Sequence, residues 1–209
     1  MTPTSVLILP GWQNSGPLHW QSRWEVAHGY RRVEQHDWMR PLRGDWIARL
    51  EDVLLSGDTD VPVVLVAHSL GCQLVAAWAS HSKNTHLVKA ALLVAPSDPA
   101  REALQPVLPS WSPVALQPLP FTSVLISSQN DPYCSAERAQ QFVDAWGCLW
   151  VNAGNQGHLN ADSELHDWAE GHAQLEKLQV LKQMTADTPS LNSLWTHPIL
   201  ETRKTKNGH

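Results

Sequence analysis

The chain has 209 residues, 43% of them hydrophobic and 17% charged, long enough to bury one sizeable core and too apolar to be disordered. A net charge of −5 gives no electrostatic reason to expect a nucleic acid or an anionic membrane as partner, and neither Arg31-Arg32 nor the Arg203–Lys206 cluster is long enough to form a basic patch. The three cysteines, Cys72, Cys134 and Cys148, form no CxxC pair and no closed disulfide set, so reduced thiols in a cytoplasmic protein are expected.

The N-terminal stretch MTPTSVLILPGW has no basic region, and its apolar run covers only Val6 to Leu9, so it is not read as a signal peptide. Ser5–Leu9 is a β-rich run that stops at Pro10-Gly11. Leu18–Ala27 spaces Trp20 and Trp24 four apart, a helical pairing. Arg31–Trp38 reads as a short strand. Trp46, Ile47, Leu50, Val53 and Leu54 repeat at helical spacing, with Asp45 as the candidate cap. Pro62–Ala67 is a continuous apolar run, which marks a strand buried on both faces. Leu74, Val75, Trp78 and Ala79 announce a helix, then Val88–Ala95 a strand. Pro96–Pro120 is proline-rich and irregular, with one short helix expected at Ala100–Leu104. Ser123–Ser127 is a strand, Ala136–Trp146 a helix, Cys148–Asn152 the last strand and Ala173–Met184 the closing helix. The domain is expected over residues 1–184, with residues 185–209 as a mobile tail.

Strands alternating with helices predict an α/β fold: a doubly wound, mostly parallel sheet of about six strands with helices on both faces. Such sheets hold their ligands at the carboxyl ends of the strands. Three strand ends carry chemistry. Ala67-His68-Ser69-Leu70-Gly71 has the strand–turn–helix setting of a nucleophile elbow, with Ala67 in place of the usual first glycine. Asp131 follows the strand SVLIS, and His158 follows the strand CLWVN on a glycine-flanked loop. A nucleophilic serine needs a base, and the base an orienting carboxylate, in the chain order Ser, Asp, His. Asp131 could instead cap the helix starting near Ser135. Asp98 is the rival acid, and His158 could be a loop histidine bonded to backbone. An oxyanion hole would draw on the backbone N–H groups of Leu70 and Trp12, with Gly11 either allowing this turn or serving as a plain turn glycine. Trp12, His68, Trp111 and Tyr133 are candidate pocket walls. His158, His166 and His172 lie close in sequence. However, there is no HExxH or clustered Cys/His set, so no metal centre and no cofactor are expected.

The motifs LPGWQNSGPLHWQSRWE, HDW with Pro41 and Asp45-Trp46, AHSLGC, LLVAPSDP, SQNDPYCS and AGNQGHLNADSELHDWAEG span the chain from Val6 to Leu181. Together they resemble the small serine hydrolases of the α/β-hydrolase superfamily typified by retinoblastoma-binding protein, which have many bacterial relatives. The resemblance implies an α/β-hydrolase fold with a minimal cap and a Ser-Asp-His triad at Ser69, Asp131 and His158. Alanine at position 67 departs from the glycine pattern by one methyl group.

The expected activity is hydrolysis of carboxylic esters, or amides, of small substrates through an acyl-enzyme. Two other readings compete. An interaction module on a hydrolase scaffold would be marked by a missing triad member, and none is missing; an acyltransferase would pass the acyl group to an alcohol. The connection over residues 96–120 is too short for a full lid domain.

Overall fold

The computed structural model describes residues 4–180. Six strands form one sheet: β1 (Ser5–Leu9), β2 (Arg31–Arg32), β3 (Val63–His68), β4 (Val88–Val94), β5 (Thr122–Ser127) and β6 (Leu149–Asn152). Their spatial order is β2-β1-β3-β4-β5-β6, and every neighbouring pair is parallel. Five helices connect and cover them: α1 (Trp20–His28), α2 (Arg43–Leu55), α3 (Leu70–Ala79), α4 (Ala136–Trp146) and α5 (Ala169–Val180).

The period of two along the strands explains how one sheet serves two cores. Leu7 and Leu9 of β1, Val63, Leu65 and Ala67 of β3, and Ala91 and Leu93 of β4 face one side. There they pack with Trp46 and Leu50 of α2, Leu74 and Trp78 of α3, and Phe142 and Trp146 of α4. The alternate residues Val6, Ile8, Val64, Val66, Ala90, Leu92 and Val94 face the other side, against Trp20 and Trp24 of α1 and Leu175 and Leu178 of α5. Burial on both faces is why β3, β4 and β5 are built round runs of consecutive apolar residues rather than an alternating pattern. The fold is therefore the α/β-hydrolase type expected from the alternation.

Several local expectations change. Pairing in the predicted Arg31–Trp38 strand is confined to Arg31–Arg32, with one further bond from the Val33 N–H to the Ile8 carbonyl. Helix α2 begins at Arg43 with Leu42 as its N-cap, so Asp45 lies in its first turn, where a carboxylate favours the helix dipole without capping it. Residues 100–104 form turns, and the only helical piece of the β4–β5 connection is a 3₁₀ turn at Pro109–Trp111. The closing helix starts earlier than expected, at Ala169; residues 181–184 of its predicted span, and the tail assigned to 185–209, lie outside the described residues.

Candidate active site

At the carboxyl end of the sheet's central strands, β3 ends at His68 and α3 begins at Leu70. Ser69 makes the whole turn between them, at φ 55° and ψ −118°. A non-glycine residue held there is strained, and tertiary contacts hold it in place. Its N–H donates to the Val94 carbonyl at 3.0 Å. The turn is crowded. A Cβ on Gly71 would overlap the Leu9 carbonyl oxygen and lie 3.0 Å from that of Pro10. Ala67 is fully buried on the sheet, where its methyl group is accommodated.

The loop after β6 carries His158, whose Nε2 is 2.8 Å from Ser69 Oγ. Its Nδ1 lies 2.9 and 2.8 Å from the two carboxylate oxygens of Asp131, on the loop after β5. The side chains of His158 and Asp131 are only 8% and 3% exposed, so this line of hydrogen bonds is shielded from water. The two loops are tied together. Asn130 Oδ1 accepts from the Gly157 N–H at 2.7 Å, and Ser128 Oγ accepts from the Gln156 N–H at 2.9 Å. The His158 carbonyl accepts from His68 Nε2 at 2.9 Å, and the Leu159 carbonyl from the Trp20 indole at 2.8 Å.

The alternative roles fall elsewhere. Ser135, not Asp131, caps α4, its side chain accepting from the Arg138 N–H. Asp98 is paired with Arg138 at 3.2 Å and also accepts from the Ala100 N–H. His172 bonds Tyr30 Oη at 2.9 Å on the α1–α5 face, away from His158.

The loop after β1 runs alongside the elbow. A Cβ on Gly11 would lie 2.8 Å from Ser69 Cβ and 3.2 Å from the Leu70 nitrogen. Next in the chain, Gln13 and Asn14 take φ values of 67° and 66°. The Gln13 N–H is taken by the Trp38 carbonyl and that of Asn14 by the Gly11 carbonyl. Among the described residues, no acceptor takes the N–H groups of Trp12 or Leu70. Arg32 stitches the loop to α1: it bonds Asn14 Oδ1 at 2.7 Å, the Ser15 carbonyl at 3.0 Å and both oxygens of Glu25 at 2.7 and 2.9 Å.

The family profile described as "Serine hydrolase" matches residues 6–177. The chain belongs to the serine hydrolase family. A YdeN-like hydrolase of Pectobacterium atrosepticum is 26% identical with a TM-score of 0.73, the match covering 84% of this chain and 90% of that one. The ydeN gene product of B. subtilis is 18% identical with a TM-score of 0.68, over 85% and 100% of the two chains. Est1E of Butyrivibrio proteoclasticus, solved with ferulic acid bound, shares the fold at 12% identity and a TM-score of 0.64, over 84% and 90%. A search of curated proteins by sequence found no match.

In this serine hydrolase, Ser69 and His158 open onto a cleft of about 320 Å³, lined by Trp12, His19, His68, Ser97, Leu104, Leu108 and Tyr133 among others. The Tyr133 ring lies 4.5 Å from that of His158. Trp111, expected as a pocket wall, is not part of this lining. It is 1% exposed, packs edge-on against Trp46, and donates its indole N–H to the Pro41 carbonyl at 2.7 Å. A buried indole needs such an acceptor, and for Trp111 the Pro41 carbonyl supplies it. The β4–β5 connection contributes Leu104 and Leu108 to the cleft instead. Sequence reasoning missed His19. Burial, reinforced by His158 and Arg32, lowers its pKa to about 3, and burial with His19 and His158 holds His68 well below the ordinary histidine range. Both rings are neutral at physiological pH. Sequence reasoning also missed Arg32, Asn130 and Ser128, because their partners come from other loops.

Proposed function

We propose that this serine hydrolase cleaves carboxylic esters of small substrates, with amides as poorer ones, through an acyl-enzyme formed on Ser69. The observation that carries the reading is the buried, hydrogen-bonded line from Ser69 Oγ through His158 to both oxygens of Asp131. Asp131 holds the tautomer with the proton on Nδ1, leaving Nε2 free to take the Ser69 proton as Oγ attacks the ester carbonyl. The carbonyl oxygen becomes an oxyanion, received by the N–H groups of Leu70 and Trp12. Collapse expels the alcohol, which takes its proton from His158. Water, deprotonated by the same imidazole, then attacks the acyl-enzyme and releases the acid, restoring Ser69.

The retinoblastoma-binding-protein type, suggested by the motifs from LPGWQNS to AGNQGHLN, and a cytoplasmic location belong to this proposal. The location draws its support from the three cysteines, all unpaired.

The test is Ser69→Ala. Turnover of a p-nitrophenyl ester is expected to fall by about a million-fold, as for removal of an activated serine, with labelling by a fluorophosphonate probe abolished and the melting curve kept. A folded Ser69→Ala protein that retains most of the wild-type rate would overturn the proposal.

A further inference from the structure

Two residues that line the cleft beside Ser69 each hold a buried polar atom that the protein itself leaves without a partner. His19 is 5% exposed, and as the N-cap of α1 its Nδ1 accepts the Gln21 N–H at 3.1 Å. That bond places the proton of the neutral ring on Nε2. Among the described residues, Nε2 has no hydrogen-bond partner. Ser97, three residues past the end of β4 and 3% exposed, likewise keeps an unpartnered Oγ. Both residues line the cavity that holds Ser69 and His158. A buried donor without an acceptor is costly, so an orphan in a cleft wall is a group awaiting a ligand atom.

The charge of the wall narrows what that atom can be. The lining includes one carboxylate, Asp162, and no lysine or arginine. His19 and His68 add no cation, because burial keeps both neutral. The Arg32 guanidinium, whose charge reaches His19, lies outside the lining and is paired with Glu25, so a carboxylate or phosphate on the substrate would meet no free cation in the wall, whereas an ether, hydroxyl or carbonyl oxygen suits an imidazole N–H.

We propose that His19 Nε2–H, assisted by Ser97 Oγ, is a specificity-determining donor, and that the preferred substrates are uncharged esters with a neutral oxygen acceptor close to the reacting carbonyl. This inference rests on the esterase reading of the same site.

Two isosteric pairs test it: p-nitrophenyl methoxyacetate against p-nitrophenyl butyrate, and 2-methoxyethyl acetate against butyl acetate. Each exchanges one CH2 for an oxygen, the first in the acyl part and the second in the alcohol. The kcat/KM ratio within a pair is divided by the hydroxide-catalysed rate ratio, which removes intrinsic reactivity. For one pair, the normalised ratio of the wild-type protein is expected to reach about 3 to 10, the range of one neutral hydrogen bond. His19→Asn keeps a capping acceptor but withdraws the donor, and should bring the ratio to about 1. His19→Gln, with an amide N–H of longer reach, should retain part of it. Normalised ratios of 1 or less for both pairs in the wild-type protein overturn the inference without any variant. An equal loss on both members of the preferred pair in His19→Asn, with the ratio kept, overturns it in favour of a capping role alone. Absence of any Ser69-dependent hydrolysis of all four esters overturns the esterase reading, and this inference with it.

Discussion

Gly11→Ala tests how closely the loop after β1 must approach Ser69. Gly11 has no need of a positive φ, so alanine can adopt its backbone, and the effect comes from contact alone. The added methyl carbon would stand 2.8 Å from Ser69 Cβ, 3.2 Å from the His68 carbonyl oxygen and 3.2 Å from the Leu70 nitrogen. An ordinary carbon–carbon contact is about 3.5–4.0 Å, so the loop and the elbow must part by roughly 1 Å. None of the three opposing atoms belongs to a side chain that can swing aside. Overpacking of this kind costs about 1–3 kcal/mol in stability. The functional loss should be larger, because the displacement moves the Trp12 N–H away from Leu70 and Ser69. Loss of one oxyanion donor lowers kcat by about 10²- to 10³-fold. The measurement is kcat on p-nitrophenyl acetate, together with the fluorophosphonate labelling rate and a thermal melt. A Gly11→Ala protein with wild-type kcat would refute the assignment of this loop to the oxyanion.

Two further predictions concern stability. Arg32→Met removes a guanidinium whose side chain is 12% exposed and leaves Glu25, 21% exposed, without its partner. The expected cost is about 3 kcal/mol, as for breaking a buried pair, with kcat lowered as the loop bearing Trp12 loosens. Unchanged melting and unchanged kcat would count against Arg32 as the tie of that loop. The second prediction is acid lability. His19 has a pKa of about 3 in the fold, against the ordinary 6.5 in the unfolded chain. Below pH 6.5 the unfolded chain binds a proton that the folded ring refuses, so stability is full above that pH and falls as pH drops toward 3. At two units below 6.5, His19 alone contributes a loss of about 2–3 kcal/mol, and His68 acts in the same direction. Urea midpoints at pH 7.5 and 4.5 should differ less in His19→Asn than in the wild type. Equal differences would show that His19 does not set this dependence.

The parts of the fold visible in the sequence are those where local pattern and tertiary role agree. Strands β3, β4 and β5 are buried on both faces, so each is built round an apolar run, Val63–Ala67, Ala90–Val94 and Val124–Ile126. The strand ends then supplied Ser69, Asp131 and His158, which the structure brings within hydrogen-bonding distance. What stayed hidden depends on partners distant in the chain. Asp98 and Asp131 both follow strands, and only their distant partners, Arg138 on α4 for one and His158 for the other, separate their roles. Trp111 could wall a pocket or fill a core, and the Pro41 carbonyl decides. His19 fell inside the predicted Leu18–Ala27 helix without a role of its own, and it is the N-cap of α1. Its neutral ring and unpartnered nitrogen arise from packing near His68 and His158 that no local spacing encodes. Strand β2 was overextended: Arg31–Trp38 is mostly polar, with only Val33 and Trp38 apolar, and its ladder to β1 covers two residues.

The knot between the loops after β5 and β6 also bears on how activity would fail. Ser69 is anchored at the middle of the sheet, between β3 and β4, whereas His158 hangs from a four-residue strand at its rim. Rim elements open at lower free energy than central ones. Asn130 and Ser128 bind the His158 loop to that of Asp131, so once the His68 and Trp20 bonds to this loop give way the imidazole and its carboxylate would leave as one piece. Ser69 would then stand alone on an otherwise intact scaffold, and turnover would report the integrity of one edge of the molecule rather than of the whole.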